Sequence, residues 1–289
     1  MTAVARLVRW ELWKLARRPA SYVGFVLCLV FTVVSLIGFE WTQYKGKRIQ
    51  GLQLDPEQYL NGPFFANFVL NIGFFALLPL VAATLAGSQL AGESKDGTLR
   101  ALLLRPPSRT AIYLAKAVAS LVWLELMVVF LCGLALLVGH VAYGGGSLLV
   151  YIWEFRSQGP WVVAADDWPK LMALACLGVG ASLALVVACA LCVSAVTDNP
   201  VIAHVGTLGG FFISSVLQRL PDQIMGESFK DALPTRHMNF WHELYRWYHP
   251  AGSTVDHDRW WTDVTWCAGL TFGLFALGWW LFRRRDITS

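Results

Sequence analysis

Long apolar runs, separated by short charged or polar segments, dominate the pattern of the chain. Spanning a bilayer takes about 20 consecutive apolar residues, and six runs reach or approach that length: 20–39, 64–92, 117–143, 171–197, 199–217 and 264–282. Helices are the expected form of these runs, because lipid offers no partner for unpaired backbone groups. The pattern predicts an all-α integral membrane protein in which residues 1–289 form a single membrane domain.

The segment before the first span predicts an amphipathic helix over residues 3–18. Apolar side chains recur there at helical spacing, with basic residues between them, and Pro19 follows directly. We expect this helix to lie in the membrane interface, where Trp10 and Trp13 suit the headgroup level. An ordinary basic flank is the alternative. No small-residue cleavage site follows the first span, so we interpret that span as retained.

Charge patterning orients the predicted spans. Only 15% of the residues are charged, mean hydropathy is +0.51 and the net charge is +4. Lysines and arginines concentrate in the N-terminal segment, in residues 93–116 and in the C-terminal tail. The positive-inside rule places these three segments, and so both termini, in the cytoplasm of a multi-pass protein of the cytoplasmic membrane. The positive charge therefore indicates anchoring to membrane lipid and gives no indication of nucleic-acid binding.

Cysteine usage predicts no disulfide framework. All six cysteines fall inside predicted spans. We interpret Cys189-x-x-Cys192 as a packing pair in an apolar helix rather than a redox motif.

The connection between the second and third apolar runs, residues 93–116, is short, charged and patterned. Gly97 breaks the end of the second span, and residues 98–104 are predicted to form a short helix with leucines on one side. Arg105-Pro106-Pro107 is expected to end that helix, because proline has no backbone N–H to donate and its ring clashes with the preceding helical turn. Ser108 is placed to cap the following helix. The pattern predicts a short helix turned across the membrane face.

These residues resemble the type-2 ATP-binding-cassette (ABC) permease family. The matching positions are Glu93, Gly97-Thr98-Leu99, the leucines of 102–104, Arg105-Pro106, Ser108-Arg109 and Lys116. Further similarities lie in an N-terminal segment similar to the family's elbow helix, in the Asn199-Pro200 turn, and in the Arg284-Arg285-Asp286 ending.

The resemblance implies a six-span permease that works as a dimer with a second copy or a similar permease. In such proteins the loop between spans two and three is a coupling helix seated on a cytoplasmic ABC ATPase, and export is the expected direction. The implied coupling residues are Glu93, Asp96, Gly97, Thr98, Leu99, Arg100, Leu103, Arg105, Pro106, Ser108 and Arg109. The chain carries no G-x-x-x-x-G-K-[ST] loop. We therefore expect no catalysis and no bound cofactor in this chain, with ATP and Mg²⁺ held by the partner ATPase.

Polar residues inside the spans are the candidates for a substrate pathway. By resemblance, spans two and five line the pathway at the dimer axis. Glu125 is the carboxylate deepest in a span, where a charge is expensive, and His204 is a candidate partner for it. Interhelical hydrogen bonding is the alternative role for the whole set: Asn67, Asn71, Ser88, Gln89, Glu125, His204, Ser214 and Ser215.

Two longer connections are predicted on the exterior. Residues 144–170 should form a polar loop, and the aromatic residues of 218–263 predict one or two short helices resting on the outer interface. His237 and His242 are five residues apart, which does not place two ligands on one helix face. We therefore predict no metal site and interpret the four histidines of this loop as solvated: His237, His242, His249 and His257.

Two other functional classes provide alternatives. An intramembrane enzyme is disfavoured, because the chain lacks a Gly-x-Ser-x-Gly elbow, an H-E-x-x-H pair and paired intramembrane carboxylates. A permease-like subunit that transmits ATP-driven motion to an exterior partner protein, for example in metalloenzyme maturation, stays open beside the drug or peptide exporter.

Overall fold

The computed structural model describes residues 3–44, 60–99, 107–150, 160–220, 222–250 and 252–285. In chain order the described elements are α1 (Ala3–Arg17), α2 (Pro19–Tyr44), α3 (Gly62–Ala76), α4 (Leu78–Lys95), α5 (Arg109–Tyr143), β1 (Leu148–Val150), β2 (Trp161–Val163), α6 (Trp168–Ser194), α7 (Pro200–Arg219), α8 (Asp222–Met225), α9 (Glu227–Asp231), α10 (Pro234–His237), a 3₁₀ helix (Met238–His242), α11 (Glu243–Arg246) and α12 (His257–Arg284). Within these ranges α2, α5, α6, α7 and α12 are long and apolar enough to cross a membrane, and there are six such spans if the bent pair α3 and α4 counts as one. The chain is an all-α integral membrane protein, as the apolar runs predict.

The second span is bent rather than continuous. Residues 64–92 were expected to form one helix, but α3 and α4 meet at Leu77 with an angle of 47°. Pro79 lies just after the break. It has no N–H to donate, and its ring crowds the carbonyl of Phe75, so a straight helix cannot continue through this point.

Local signals fix several of the observed helix ends. Pro19 begins α2 directly after α1 has ended at Arg17. The Ser108 hydroxyl accepts a hydrogen bond from the Ala111 amide at 3.2 Å, and so caps α5 as its sequence predicts. The Asn199 side chain caps α7 in the same way through the Val201 amide at 3.0 Å. The tight turn predicted at Asn199-Pro200 is therefore confirmed.

Helices α4, α5 and α6 form the centre of the bundle. Helix α4 packs against α6 and α7, helix α5 packs against α1 and α3, and α6 also packs against α12. Helix α2 contacts mainly α5 and keeps a largely apolar exposed surface, with Val26 and Val34 58% and 59% exposed. Apolar exposure on this scale suits lipid rather than water.

Glycine allows close helix approach at some positions in the spans and meets open space at others. A Cβ atom on Gly87 of α4 would lie 2.6 Å from Cδ2 of His204 on α7, so these helices touch only because residue 87 is glycine. The glycine pairs of α7 and α12 differ. A Cβ atom on any of these four residues would meet nothing within 4 Å among the described residues: Gly206, Gly210, Gly269 and Gly273.

One face of the bundle carries both ends of the described chain. Helix α1, the end of α4, the start of α5, the turn between α6 and α7, and the end of α12 are joined there by ion pairs and hydrogen bonds. We call it the terminal face. The ends of α3, α5 and α6 away from it mark the opposite face.

The connection after α5 contains a β-hairpin on the opposite face, where a polar loop was predicted. Gly144 ends α5 with φ 75°, a conformation that favours glycine. Strands β1 and β2 pair antiparallel, with Leu149 opposite Val162. Leu148 and Val150 are buried, and β1 packs against α3. The prediction of a polar loop was wrong for these strands, because each consists of three consecutive apolar residues that are mostly buried.

The segment before the last span enters the bundle instead of resting on its surface. Residues 234–246, which we call the inserted segment, comprise α10, the 3₁₀ helix and α11. They pack against α6, α7 and α12. Trp241 and Tyr245 are fully buried, and a Cβ atom on Gly178 of α6 would lie 2.6 Å from the Cβ atom of Trp241. The prediction of helices resting on the outer interface was therefore wrong for this segment.

Candidate functional site

Four charged side chains from three helices meet inside the terminal face. Lys116 Nζ of α5 lies 3.2 Å from Glu11 Oε1 of α1 and 2.8 Å from Glu93 Oε2 of α4. Lys14 Nζ lies 2.6 Å from Glu11 Oε2 and also pairs with Glu93 Oε1. We call Glu11, Lys14, Glu93 and Lys116 the charge quartet. It joins α1 to the two points where the 93–116 connection leaves and rejoins the bundle.

The quartet is buried yet electrically balanced. Lys116 is 0% exposed and Glu11 only 3%. Two positive and two negative groups alternate, so each charge has opposite charges beside it. Burial lowers the pKa of Lys14, but the carboxylates of Glu93 and Glu11 outweigh that effect and raise the pKa above its usual value. Lys14 therefore stays an ammonium ion and keeps the network intact.

Sequence reasoning identified Glu93 and Lys116 as family positions but missed Glu11 and Lys14 as their partners. A signal was present: Glu11 and Lys14 stand three residues apart on a helix whose other face is basic. Their meeting with residues of α4 and α5 depends on tertiary packing, which the local pattern does not specify.

The described coupling residues shape the start of the 93–116 connection. The Asp96 amide donates to the Gly92 carbonyl at 3.0 Å, and Gly97 turns the chain with φ 70°. The Thr98 hydroxyl donates to the Glu93 carbonyl at 3.2 Å, and Leu99 is fully buried beside Phe282 of α12. Four predicted coupling residues lie outside the described residues: Arg100, Leu103, Arg105 and Pro106.

A second network surrounds the same connection at its two ends. Asp198, in the turn between α6 and α7, accepts a hydrogen bond from the Ser94 hydroxyl and pairs with Arg285. The hydrogen bond from the Ser94 hydroxyl has the largest effect on the pKa of Asp198 and lowers it; desolvation opposes this, and the Arg285 guanidinium lowers the pKa further. Arg109 donates to the Arg283 carbonyl at 2.9 Å and to the Arg285 carbonyl at 2.7 Å. Arg109, the first residue of α5, thus caps the end of α12.

Ser194, at the end of α6, ties that helix to the backbone of α4. Its hydroxyl donates to the Gly87 carbonyl at 2.7 Å and accepts from the Ala91 amide at 2.8 Å. An uninterrupted α-helix joins these two backbone groups to each other directly. The hydroxyl therefore bridges the backbone of α4 at the turn that precedes the 93–116 connection.

Several candidate pathway residues hydrogen-bond between elements. Tyr245 donates to Asn67 Oδ1 at 2.7 Å, Asn71 Nδ2 donates to the same oxygen at 3.0 Å, and His242 Nε2 lies 2.9 Å from Asn71 Oδ1. The structure thus brings Asn67 and Asn71 together beneath the inserted segment. Both asparagines therefore take part in hydrogen bonds between elements, which is the alternative role for this set of residues.

Other members of the set are dispersed over the bundle. Ser214 lies 2.8 Å from Thr235 of α10. Ser88 and Ser215 donate to carbonyls of their own helices, those of Leu85 and Phe211. Gln89 is 2% exposed.

Glu125 and His204 are not paired. A Cβ atom on Gly180 of α6 would lie 1.7 Å from Glu125 Oε2, so this carboxylate fills the space beside that glycine. His204 lies instead against Gly87 of α4. Glu125 Oε1 and His204 Nε2 are both buried without a hydrogen-bond partner in the described structure. The candidate partnership between Glu125 and His204 is therefore not formed among the described residues.

Two of the four exterior histidines are buried, which corrects their interpretation as solvated loop residues. His237 is 5% exposed and His242 is 2% exposed. Across the described ranges no group of three or more His, Cys, Asp or Glu side chains is arranged to hold a metal ion. All six cysteines are unpaired thiols.

The geometry defines a polytopic α-helical membrane protein whose charged network surrounds one short connection. Comparison with family models matches residues 26–287 to the model described as ABC-2 family transporter protein. The chain therefore belongs to the ABC-2 transporter family and is a permease subunit of an ABC transporter. A comparison with curated proteins gave no match. Family membership implies a separate ATPase subunit as partner.

Proposed function

We propose that this permease receives ATP-driven motion at the 93–116 connection and passes it into the spans through the charge quartet. The observation that carries the proposal is the quartet's position. Glu93 is the first residue of the connection, Lys116 is its last, and both are ion-paired to α1. A push on the connection would therefore move α1, α4 and α5 together rather than bend a loose loop.

Two contacts continue the proposed route toward α7. Gly87 of α4 packs directly against His204 of α7. Ser94, at the end of α4, hydrogen-bonds Asp198 in the turn that leads into α7. Displacement of α4 would thus act on α7 at two places, within the helix at His204 and in the turn that precedes it at Asp198.

We infer that α7 faces a second permease copy across the transport pathway. Gly206 and Gly210 have open space beside them within the chain, and Val205 and Ile213 are each 63% exposed. Small residues between apolar side chains favour close helix association in membranes. Movement of α7 in each copy would then open or close the pathway for an exported substrate, with the pathway residues of α4 and α7 near the axis.

The proposed orientation places the terminal face in the cytoplasm. The described basic residues of α1, Arg109 and the arginines at the end of α12 are all on this face. The positive-inside rule supports the same side. ATP and Mg²⁺ would bind in the ATPase docked there.

Hydrogen exchange of the reconstituted permease–ATPase complex tests the proposed transmission. With ATP rather than ADP we expect changed backbone exchange in α7. Lys116→Gln should keep ATP hydrolysis but lose this change, because α4 and α5 no longer move as one unit. Lys95→Gln, at an exposed lysine of the same connection, is the matched control and should behave as the parent.

A parent-like ATP response in Lys116→Gln would overturn the proposed role of the quartet. If that variant does not fold, Lys14→Gln removes a more exposed member of the quartet and serves the same purpose, since the Lys14 side chain is 20% exposed.

Transmission of motion to an exterior partner protein is the second candidate function. The inserted segment hydrogen-bonds directly to α3 and α7, so motion of these spans would reach the opposite face. Capture of a stably bound exterior protein, with no solute moved by the reconstituted complex, would favour this function over export.

A further inference from the structure

His237, at the end of α10, holds the inserted segment to two neighbouring elements. Its Nδ1 lies 2.7 Å from Asp263 Oδ1 of α12, and its Nε2 lies 2.7 Å from the carbonyl oxygen of Asp231 in α9. The ring stacks on Trp266 of α12 with a centroid distance of 4.9 Å and an interplanar angle of 9°. The side chain is therefore fixed in orientation by three contacts.

The chemistry of the two partners determines the protonation state of the ring. A carbonyl oxygen only accepts hydrogen bonds, and so does an ionised carboxylate. Both ring nitrogens of His237 must therefore donate, which a neutral imidazole cannot do because it carries one N–H. With the Asp263 carboxylate ionised, this pair of acceptors fits the imidazolium ion.

We propose that His237 is a proton-dependent latch that fastens the inserted segment to α12. While the ring is protonated, both hydrogen bonds and the ion pair to Asp263 are present. When the ring loses a proton, one of its nitrogens has no N–H and faces an oxygen that can only accept. The hydrogen bond to that oxygen, either of Asp263 or of the Asp231 carbonyl, is then lost. The inserted segment then opens more readily.

The charged groups around the latch come from each element packed against it. Helix α12 supplies Asp263, and α10 itself supplies Arg236, whose Nε lies 3.5 Å from Asp231 Oδ1. Helix α7 supplies the neutral Ser214 hydroxyl, which bonds Thr235. The other buried histidine of the segment, His242, bonds the neutral amide of Asn71.

The direction of the pH dependence follows from these partners. The hydrogen bond to Asp263 raises the pKa of His237 above its usual value, and this outweighs the lowering effects of burial and of Arg236. A raised pKa in the closed form stabilises that form below the ordinary histidine pKa of about 6.5. The stabilisation is lost as pH rises through the higher pKa of the closed form.

Hydrogen exchange of the full chain in lipid nanodiscs, from about pH 6 to about pH 9, spans this window and tests the latch. After correction for intrinsic exchange rates, protection of the amides of 235–242 should fall several-fold as pH rises. His237→Gln should remove that dependence, and Asp263→Asn should shift the fall to lower pH. His257→Gln, at an exposed histidine of α12, is the matched control and should keep the parent profile.

Two results would overturn the latch. One is protection in the parent that does not change with pH, and the other is an unchanged pH dependence in His237→Gln. If Asp263→Asn does not fold, His237→Gln still decides the question. The measurement needs no ATPase and no substrate, so it is independent of the proposed coupling.

Discussion

At the scale of single residues, the buried charge of Lys116 explains how a charged connection can be held rigidly to apolar spans. A buried ammonium ion without partners would cost several kcal/mol. Here Glu11 and Glu93 lie on two other helices, so the ion is compensated only when α1, α4 and α5 are assembled together. The quartet therefore links correct helix assembly to the position of the connection.

Lys116→Met should destabilise the purified chain by about 3–5 kcal/mol, because it leaves two buried carboxylates with only one ammonium ion between them. Thermal unfolding in detergent is the measurement. Lys95→Met removes an exposed lysine at the end of α4 and should change stability by about 0.5 kcal/mol or less. Equal stability of the two variants would show that the quartet contributes little to assembly.

At the scale of elements, close packing of the inserted segment against α6 depends on one missing side chain. Gly178 leaves room for Trp241, whose Cβ atom would lie 2.6 Å from a Cβ on residue 178. Gly133 of α5 has nothing within 4 Å of its own Cβ position among the described residues. Substitution of each glycine by alanine therefore distinguishes the effect of packing, which applies only at Gly178, from the effect of helix propensity, which applies at both positions.

Gly178→Ala should destabilise the chain by about 1–3 kcal/mol through overpacking, and it should increase hydrogen exchange in the 3₁₀ helix. Gly133→Ala should instead be neutral or stabilising by up to about 1 kcal/mol, because alanine is the better helix former. Unfolding midpoints and exchange of the two variants provide the comparison. Equal behaviour of the two would mean that the inserted segment does not depend on this approach.

Sequence patterns predicted the elements better than their contacts. Apolar runs located the spans, and Pro19, Ser108 and Asn199 marked helix starts, because these signals act over a few residues. The bend at Leu77 had a visible cause in Pro79 but was not predicted. Burial of the inserted segment was missed because tryptophan and tyrosine suit both a membrane interface and a protein interior.

The candidate site was predictable only in part. Glu93 and Lys116 were recognised by their resemblance to the family pattern, whereas the pairing of Lys116 with Glu11 depends on the approach of α1 to α5. Glu125 and His204 illustrate the converse. Similar depth in the membrane suggested a pair, but different helix neighbours separate them. Depth can be read from a sequence, whereas the direction in which a helix face points depends on the assembled bundle.

At the scale of the whole molecule, basic and aromatic residues combine on the terminal face. Arg17 lies 4.2 Å from the ring centroid of Trp13, and Arg284 lies 4.3 Å from that of Trp280. Such pairs suit the headgroup region, where an indole ring has both apolar and polar neighbours. This face therefore has the composition expected of a membrane interface, and the orientation proposed above makes it the side where an ATPase would dock.

The side of the membrane on which residues 93–116 lie is the most direct test of this account. Lys95→Cys introduces an exposed thiol into the connection, and Ser253→Cys introduces one on the opposite face. The parent chain shows the background from its six native cysteines, none of which is fully exposed. The probe is a membrane-impermeant thiol reagent applied to sealed vesicles of each orientation.

The account predicts that Lys95→Cys reacts only in inside-out vesicles, that Ser253→Cys reacts only in right-side-out vesicles, and that bound ATPase subunit slows labelling of Lys95→Cys alone. Labelling of Lys95→Cys from the exterior would place the connection out of reach of an ATPase and contradict the account.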